Sequence, residues 1–290
     1  MRGQRSRVIL TCTTISSRLD LLFYTLSSIS RQSYAPDVVY VNVSREPYML
    51  DEGVADVPSW VSELGATVRE VANDGPYRKL LPTISNCEDS DLVITFDDDV
   101  LYGRMWLERL VDRATMFPNH IVCGVGRRIS RLRGDRFQGY KRWAQVSRTE
   151  DGLWLLPIGV GGVAYRRHLL DMEMLTTGEF RRLAPRTDDL WYRVSSLRML
   201  TPVVVDPAIS SDDIRLPPPF RLADENTGVG SRSSPSYRKL SAARLTLLAR
   251  LGVPAVENDF AWNRILSAWP LPTTIPAPSN ASAASQDVGK

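Results

Sequence analysis

The chain has 290 residues, of which 43% are hydrophobic and 24% are charged, and its formal net charge is +3. This composition is that of an ordinary globular protein, and the length allows one large α/β domain or one domain with an appendage. The small net charge does not indicate nucleic-acid binding, and no apolar run approaches the ~18 residues of a membrane span.

Strand-like and helix-like segments alternate over the first two thirds of the chain. Short runs of β-branched and aromatic residues predict strands, and apolar residues at helical spacing predict amphipathic helices. The predicted strands are 8–12, 38–43, 67–71, 92–96, 121–125 and 202–205, and the predicted helices are 19–29, 105–116 and 190–200. This alternation favours an open, mostly parallel sheet with helices on both faces.

The pattern is looser after residue 150. Residues 154–165 are typical of a strand interrupted by a glycine-rich turn, and residues 238–251 of an amphipathic helix with a basic face. From residue 270 the chain is rich in proline, serine and alanine, which predicts a disordered tail over 270–290.

Three neighbouring acids, Asp97, Asp98 and Asp99, directly follow the predicted strand 92–96. Carboxylates crowded at the end of a buried strand repel one another and are costly to dehydrate. A divalent cation offsets both penalties, and carboxylate oxygens suit Mg²⁺ or Mn²⁺, which would in turn hold a phosphate-bearing ligand. The alternative is a solvated acidic turn, but the apolar Val100 resumes the core at once, so we predict a metal site.

Two further polar segments follow predicted strands and should meet the acids at one edge of the sheet, where ligands bind in such folds. The first is 13–18 and the second is 73–79, which ends in Arg78 and Lys79. These two cations could balance the phosphates of a nucleoside diphosphate, or could lie at a solvated helix end.

A second acidic pair, Asp188 and Asp189, precedes the predicted helix 190–200. In one interpretation the pair caps the helix. In the other, one carboxylate is a general base that takes a proton from a hydroxyl group, and Trp191 or Tyr192 is an apolar platform for a sugar. The spacing alone leaves both open.

Other site classes have no support in the sequence. A dinucleotide-binding glycine fingerprint and a phosphate-binding P-loop are both missing. The three cysteines, Cys12, Cys87 and Cys123, lack metal-site spacing and are predicted to be reduced, which favours the cytoplasm.

A basic stretch runs from Arg127 to Arg148 and holds eight basic residues and one acid. Most such runs are solvated surface, but this one could face an anionic substrate or a membrane.

The segment F-D-D-D-V resembles the D-x-D element of nucleotide-sugar-dependent glycosyltransferases with the GT-A fold. The order of the other motifs is also similar: a threonine-rich loop after the first strand, G-P-Y-R-K-L-L-P, then the acids, G-V-G-G-V and D-D-L-W. The chain looks most like bacterial family-2-like enzymes, over roughly residues 8 to 215.

The resemblance implies a Rossmann-like GT-A fold and a role for each matching residue. Asp97 and Asp99 would bind Mn²⁺ or Mg²⁺, with Asp212 or Asp213 as a candidate third ligand. Asp189 would be the catalytic base, beside Asp188. The residues expected to bind the nucleotide sugar are Thr11, Thr13, Arg18, Asp74, Lys79, Asp97, Asp98, Gly161 and Gly162. Those expected to contact the substrate sugars are Trp154, Trp191 and Tyr192.

We therefore expect a hexosyltransferase of polysaccharide biosynthesis that moves a sugar from a nucleotide-diphosphate donor, UDP-linked, to a hydroxyl of a glycan or lipid-linked acceptor, with inversion. The expected location is the cytoplasm, with possible contact to the inner face of the membrane. The catalytic domain would span residues 1–215, with nucleotide binding in 1–126 and acceptor binding in 127–215. A helical extension, 216–269, and the tail would follow it.

Two alternatives are kept. A sugar-phosphate nucleotidyltransferase uses a similar sheet and metal carboxylates, but the loop T-C-T-T-I-S-S-R lacks the glycines expected after its first strand. A non-catalytic sugar-binding paralogue would not need acids at both 97–99 and 188–189.

Overall fold

The computed structural model describes residues 6–132, 136–216 and 248–276. The strands in these ranges are β1 (Val8–Thr13), β2 (Val38–Val43), β3 (Thr67–Glu70), β4 (Leu92–Thr95), β5 (Val100–Leu101), β6 (Ile121–Cys123), β7 (Gly126–Arg128), β8 (Glu150–Gly152), β9 (Leu155–Pro157), β10 (Val163–Tyr165), β11 (Val203–Val205) and β12 (Ile214–Arg215). The helices are α1 (Leu19–Ile29), α2 (Trp60–Glu63), α3 (Leu81–Ile84), α4 (Trp106–Met116), α5 (Met172–Thr176), α6 (Phe180–Leu183), α7 (Asp188–Arg198) and α8 (Glu257–Ala268). Single 3-10 turns lie at Ser16–Arg18, Gly75–Lys79, Tyr140–Arg142, Gly159–Gly161 and Arg167–Leu169.

Eight of the described strands form one sheet in the order β3-β2-β1-β4-β10-β6-β11-β8. The four strands from β3 to β4 are parallel neighbours, and β11 is parallel to β6. Strand β10 runs antiparallel to both β4 and β6, and β8 runs antiparallel at the edge. All the others run in one direction, which confirms the prediction of a mostly parallel sheet.

The sheet is buried on both faces, and apolar residues of its central strands β1 and β4 point to each side. In β1 and β4, Ile9 and Val93 belong to one core cluster, whereas Leu10 and Ile94 belong to the other, as the alternation of side chains in a strand requires. Helices α1 and α4 cover the second cluster, and α7 and α8 cover the first. The carboxyl ends of the parallel strands therefore stay open between the two layers.

Most predicted elements are confirmed with small changes in their bounds. Helix α7 begins at Asp188, two residues earlier than predicted, because Asp188 and Asp189 in its first turn interact favourably with the helix dipole. The broken strand 154–165 becomes β9, the turn Gly159–Gly161 and β10. All three cysteines are free thiols, as predicted.

The prediction of a tail starting at residue 270 is wrong for residues 270–276. The indole N–H of Trp154 donates to the carbonyl of Pro276 at 2.7 Å, and Arg198 donates to the carbonyl of Pro270 at 2.9 Å. Leu271 and Ile275 pack against the core. Composition misses this packing because two apolar side chains and two side-chain donors suffice to hold the segment.

Other C-terminal predictions lie partly or wholly outside the described residues. Residues 277–290 of the predicted tail and most of the predicted helix 238–251 lie outside the described residues. Helix α8 lies within the predicted helical extension and packs on α7. The proposed division of the chain into domains stays a prediction. Among the described residues, no helix is long and apolar enough to cross a membrane.

Candidate active site

A cleft of about 520 Å³ opens at the carboxyl ends of β1 and β4. The loops after both strands line it, as do the segment after β3, the turn Gly159–Gly161 and the start of α7. The predicted site residues that line it are Thr13, Arg18, Lys79, Asp97, Asp98, Asp99, Asp188 and Asp189. The expectation that the polar segments meet at one edge of the sheet is confirmed.

Asp98 anchors the acidic turn, residues 97–99, to the rest of the fold. Its carboxylate accepts hydrogen bonds from the Thr14 hydroxyl at 2.8 Å and from Arg18 at 3.1 Å. Burial raises the pKa of Asp98, and the charge of Arg18 opposes that rise. With both oxygens occupied and the side chain buried, Asp98 holds the turn in place for its two neighbours.

Asp97 and Asp99 reach the cleft, and each side chain is 21% exposed. Burial, reinforced by the charges of Asp97 and Asp98, raises the pKa of Asp99 to about 6. A raised carboxyl pKa marks negative charge that is incompletely balanced, and this is where a cation would bind.

The donor set fits a divalent cation of the Mg²⁺ or Mn²⁺ type. Such ions take hard oxygen ligands, and Mg²⁺ is usually held by one or two carboxylates together with water and substrate phosphates. In the portion of the chain that the structure describes, no group of three or more acidic, histidine or cysteine side chains converges as a complete metal site. Asp97 and Asp99, which are open to the cleft, match a site in which two carboxylates hold the ion and water and substrate phosphates complete its coordination.

The expected third ligands are placed elsewhere. Asp212 pairs with Arg109 at 2.9 Å, and Asp213 accepts a hydrogen bond from the backbone N–H of Gly103 at 2.9 Å. Neither residue lines the cleft. A third ligand at Asp212 or Asp213 stays a prediction: Arg109 holds Asp212, whereas Asp213 Oδ2 is buried without a partner among the described residues.

Lys79 joins the two acidic groups of the cleft. Its ammonium forms an ion pair with Asp97. Burial disfavours the charge of Lys79, but Asp97, Asp188 and Asp189 outweigh that effect and raise its pKa. Lys79 therefore stays protonated and balances carboxylates on both sides.

Asp188 and Asp189 occupy different environments at the start of α7. Burial raises the pKa of both, and Asp188 adds to the rise at Asp189. The Asp188 carboxylate accepts N–H bonds from the first turn of its own helix. The Asp189 carboxylate instead faces the backbone N–H of Gly159 at 3.5 Å. Asp188 is thus the first residue of the helix, directly after the N-cap residue Thr187. Both acids line the cleft, and Asp189 has the weaker partners.

Residues 5–210 match the model of a protein family described as "Glycosyltransferase like family 2". The chain belongs to this family. It is therefore a glycosyltransferase, and its sheet with helices on both faces is the GT-A arrangement that its motifs imply.

Solved structures similar to this glycosyltransferase include two nucleotide complexes. One is the mannosyltransferase PcManGT from Pyrobaculum calidifontis in complex with GDP-Man and Mn²⁺, which is 16% identical with a TM-score of 0.46 over 92% of this chain and 70% of that chain. Another is S. aureus TarS 1-349 in complex with UDP, which is 14% identical with a TM-score of 0.43 over 90% of this chain and 72% of that one. No curated protein matches the sequence.

Two residues expected to contact the nucleotide sugar, Thr11 and Asp74, do not line the cleft of the glycosyltransferase. Thr11 is buried and donates to the Lys79 carbonyl at 2.8 Å, so it supports the lysine rather than lining the cleft. Asp74 pairs with Arg181 at 2.6 Å, outside the cleft lining.

The glycine that faces the reactive groups is Gly159, not Gly161 or Gly162. A Cβ on Gly159 would lie 3.2 Å from the Lys79 ammonium. Gly162 has φ +78°, and a Cβ there would lie 2.5 Å from the Trp106 ring. Gly161 and Gly162 are needed for packing of the turn against its neighbours, which is why they do not line the cleft.

The three aromatic residues expected to contact sugars are core residues. Trp191 is fully buried, and Tyr192 donates its hydroxyl hydrogen to the Tyr77 carbonyl at 3.2 Å. Trp154 is 9% exposed and packs against Phe137. Because none of the three lines the cleft, the expected sugar platform is corrected.

A buried ion pair between Asp51 and Arg78 lines the cleft. Arg78 is one of the two cations expected near the phosphates, but no role is predicted for Asp51 from the sequence. Arg78 donates to Asp51 at 2.8 Å, and both side chains are almost inaccessible. Asp51 also accepts the backbone N–H of Ser16 at 3.3 Å, which ties the loop after β1 to the segment after β3. Arg78 keeps one buried nitrogen, Nη1, without a partner among the described residues. Asp51 follows β2 in an irregular segment that has no periodic signal.

Proposed function

We propose that this glycosyltransferase transfers a sugar from a nucleoside-diphosphate sugar to a hydroxyl group of a glycan or lipid-linked acceptor, with a divalent cation and with inversion. The observation that carries the proposal is that the acidic turn and the Asp188–Asp189 pair converge on Lys79 in one cleft. One group suits the diphosphate, and the other suits an acceptor hydroxyl.

On the donor side, Asp97 and Asp99 would hold Mn²⁺ or Mg²⁺, which supplies charge neutralisation for the departing diphosphate. Lys79 lies beside Asp97 and adds a fixed positive charge near the phosphates. Asp98, held by Thr14 and Arg18, keeps the two carboxylates in position.

On the acceptor side, Asp189 is the proposed general base. The acceptor oxygen forms a bond to the anomeric carbon, and the bond from that carbon to the phosphate oxygen breaks with its electron pair. The nucleoside diphosphate leaves, and the hydroxyl proton goes to Asp189. A raised carboxyl pKa brings the proton affinity of the base closer to the working pH, which favours this role.

The test of donor binding is a thermal-shift titration with UDP and with GDP, each with and without Mn²⁺. A nucleotide at a hundredfold excess over its Kd should stabilise the protein by ~2.7 kcal/mol. We expect this stabilisation only with Mn²⁺, and its loss in Asp99→Ala.

Asp212→Ala is the matched control, because this acid lies outside the cleft and pairs with Arg109. The control should bind like the wild type. Unchanged metal-dependent affinity in Asp99→Ala would contradict the proposal, and binding without any sugar transfer or donor hydrolysis would favour the non-catalytic alternative.

A further inference from the structure

Strand β7 brings Arg127, the first residue of the basic stretch, to the cleft. Its guanidinium lies 5.0 Å from the centre of the Tyr140 ring and donates to the Trp143 carbonyl at 3.0 Å. Its neighbours in the stretch serve other purposes: Arg128 pairs with Glu150, and Arg136 donates to the Leu251 carbonyl. The fold therefore selects Arg127 to face the cleft.

Arg127 has no carboxylate partner among the described residues. Three other cations that line the cleft, Arg18, Arg78 and Lys79, differ from Arg127, since each is paired with an acid. A guanidinium that is half-buried without a counter-ion retains strong attraction for an incoming oxyanion, which it can bind through two parallel N–H groups.

Tyr140 and Asn258 lie beside Arg127 and also line the cleft. Asn258 is 9% exposed and hydrogen-bonds the Tyr140 hydroxyl. The other polar atom of this amide, Oδ1, is buried and has no partner among the described residues. A buried amide oxygen without a partner is costly, and a sugar hydroxyl could satisfy it.

The neighbouring acid, Asp259, does not compete for Arg127. Its carboxylate accepts the backbone N–H groups of Tyr140 at 2.6 Å, Ala255 at 2.9 Å and Val256 at 3.1 Å. These bonds fasten the start of α8 to the turn that carries Tyr140, so the pair Tyr140–Asn258 is held rigidly.

The group lies close to the proposed base. Arg127 pairs with Leu156 across β7 and β9, and the chain continues from β9 to Gly159, which faces Asp189. Burial raises the pKa of Tyr140 to about 12, with a lowering contribution from Arg127 and a raising one from Asp189. Tyr140 is therefore within electrostatic reach of both groups.

We propose that Arg127, Tyr140 and Asn258 form an acceptor subsite that selects a saccharide carrying an oxyanion, a carboxylate or a phosphate, near the hydroxyl that is glycosylated. Arg127 binds the oxyanion, and Asn258 Oδ1 accepts a hydrogen bond from a sugar hydroxyl. The proposal rests on the proposed glycosyltransferase function and names its acceptor class.

The test is calorimetric titration of the protein, with Mn²⁺ and UDP or GDP present, against three probes: methyl glucoside, methyl glucuronide and glucose 6-phosphate. We expect the anionic probes to bind at least about tenfold more tightly than the neutral one, as a charge-assisted hydrogen bond would give. The stronger of the two anionic probes identifies carboxylate or phosphate as the preferred group.

Arg127→Gln should abolish the preference, and Arg127→Lys should keep some of it. Arg128→Gln is the matched control on the same strand, and it should keep the preference because Arg128 pairs with Glu150. Asn258→Asp should weaken the anionic probes more than methyl glucoside.

Equal binding of neutral and anionic probes, no binding of the anionic probes, or an unchanged preference in Arg127→Gln would overturn the subsite. The metal-dependent thermal shift by nucleotide, measured on the same Arg127→Gln sample, shows that the variant is folded. That shift also separates the two proposals: if it is intact in the wild type while the preference is missing, the acceptor subsite fails and the donor site stands.

Discussion

Two adjacent carboxylates at the start of α7 have different partners, and this difference is the reason for the different roles that we propose for them. Asp188 is held by N–H groups of its own helix, whereas Asp189 has a single long contact to Gly159. Lys79 balances both. Hydrogen-bond donors stabilise the charged form of a carboxylate and lower its pKa. A carboxylate with few such donors is therefore the better base.

Asp189→Asn should reduce sugar transfer by ~10²–10⁴-fold and leave nucleotide binding unchanged, since a general base acts in the transition state. Asp188→Asn should reduce transfer less. Initial rates of transfer and Mn²⁺-dependent nucleotide affinity measure the two effects. A larger loss in Asp188→Asn would reverse the assignment, and full activity in both variants would refute the base.

Gly162→Ala should destabilise the fold by about 2–4 kcal/mol, because a Cβ at φ +78° would also meet the buried Trp106 ring at 2.5 Å. Gly65→Ala separates the cost of the positive φ from the cost of the contact with Trp106. Gly65 has φ +83° but open space around it, so it should lose only about 1 kcal/mol. Chemical denaturation measures both, and equal losses would show that the Trp106 contact relaxes without cost.

At the scale of elements, the starts of β1 and β4 are joined by one buried carboxylate. Asp91 accepts hydrogen bonds from Arg7 Nε and from the backbone N–H of Glu88, both at 3.0 Å. The hydrogen bond from Arg7, opposed by burial, lowers the pKa of Asp91. The pair therefore sets where the parallel strands that carry the cleft begin.

Asp91→Asn should lower the free energy of unfolding by about 1–2 kcal/mol at pH 7, with allowance for the exposed Arg7. A carboxyl group whose pKa is lowered in the folded state stabilises the fold at pH values above its unfolded-state pKa of ~3.9. This stabilisation is lost as the pH falls through the folded-state pKa. The difference between variant and wild type in urea titrations should therefore be full at pH 7 and shrink as the pH falls below ~3.9.

Asp89→Asn is the control, because its side chain is 72% exposed and its nearest cation lies 4.0 Å away. It should change the free energy of unfolding by less than about 0.5 kcal/mol at either pH. If Asp91→Asn lowers the free energy of unfolding by the same amount at every pH, the charge of Asp91 does not contribute to stability.

At the scale of the whole molecule, the C-terminal segment contributes Asn258 to the part of the cleft that we propose binds the acceptor. Trp262 of α8 is 2% exposed and packs edge-on against Phe137 and Trp143. Because this packing places Asn258 in the cleft, core stability and the proposed acceptor subsite depend on the same helix. Membrane contact by the helix predicted at 238–251 stays a prediction.

Trp262→Ala should cost about 3–5 kcal/mol, as large-to-small changes of buried aromatic residues do. Phe260→Ala on the same helix is the control, because Phe260 is 46% exposed, and it should change stability by less than about 1 kcal/mol. Denaturant titrations give both values. Similar small losses would show that α8 is not anchored by Trp262.

The sequence by itself determined the sheet class, most element bounds and the acidic turn. These depend on local pattern: alternation and apolar runs specify strands, and residues 97–99 must lie at the edge where parallel strands end. The presence of Lys79 and of the acidic pair 188–189 at the cleft was predicted from the same rule combined with the order of the motifs.

Only the tertiary structure decided which neighbours face the cleft. Gly159 rather than Gly162 lies there because Trp106, distant in sequence, fills the space beside Gly162. Trp191 is buried because its helix is covered on both sides, which a short apolar run cannot reveal. Helix α8 places Asn258 beside Tyr140, and no local sequence pattern predicts contact between residues so far apart in the chain. Packing between distant segments, not local periodicity, therefore decides which residues line this part of the cleft.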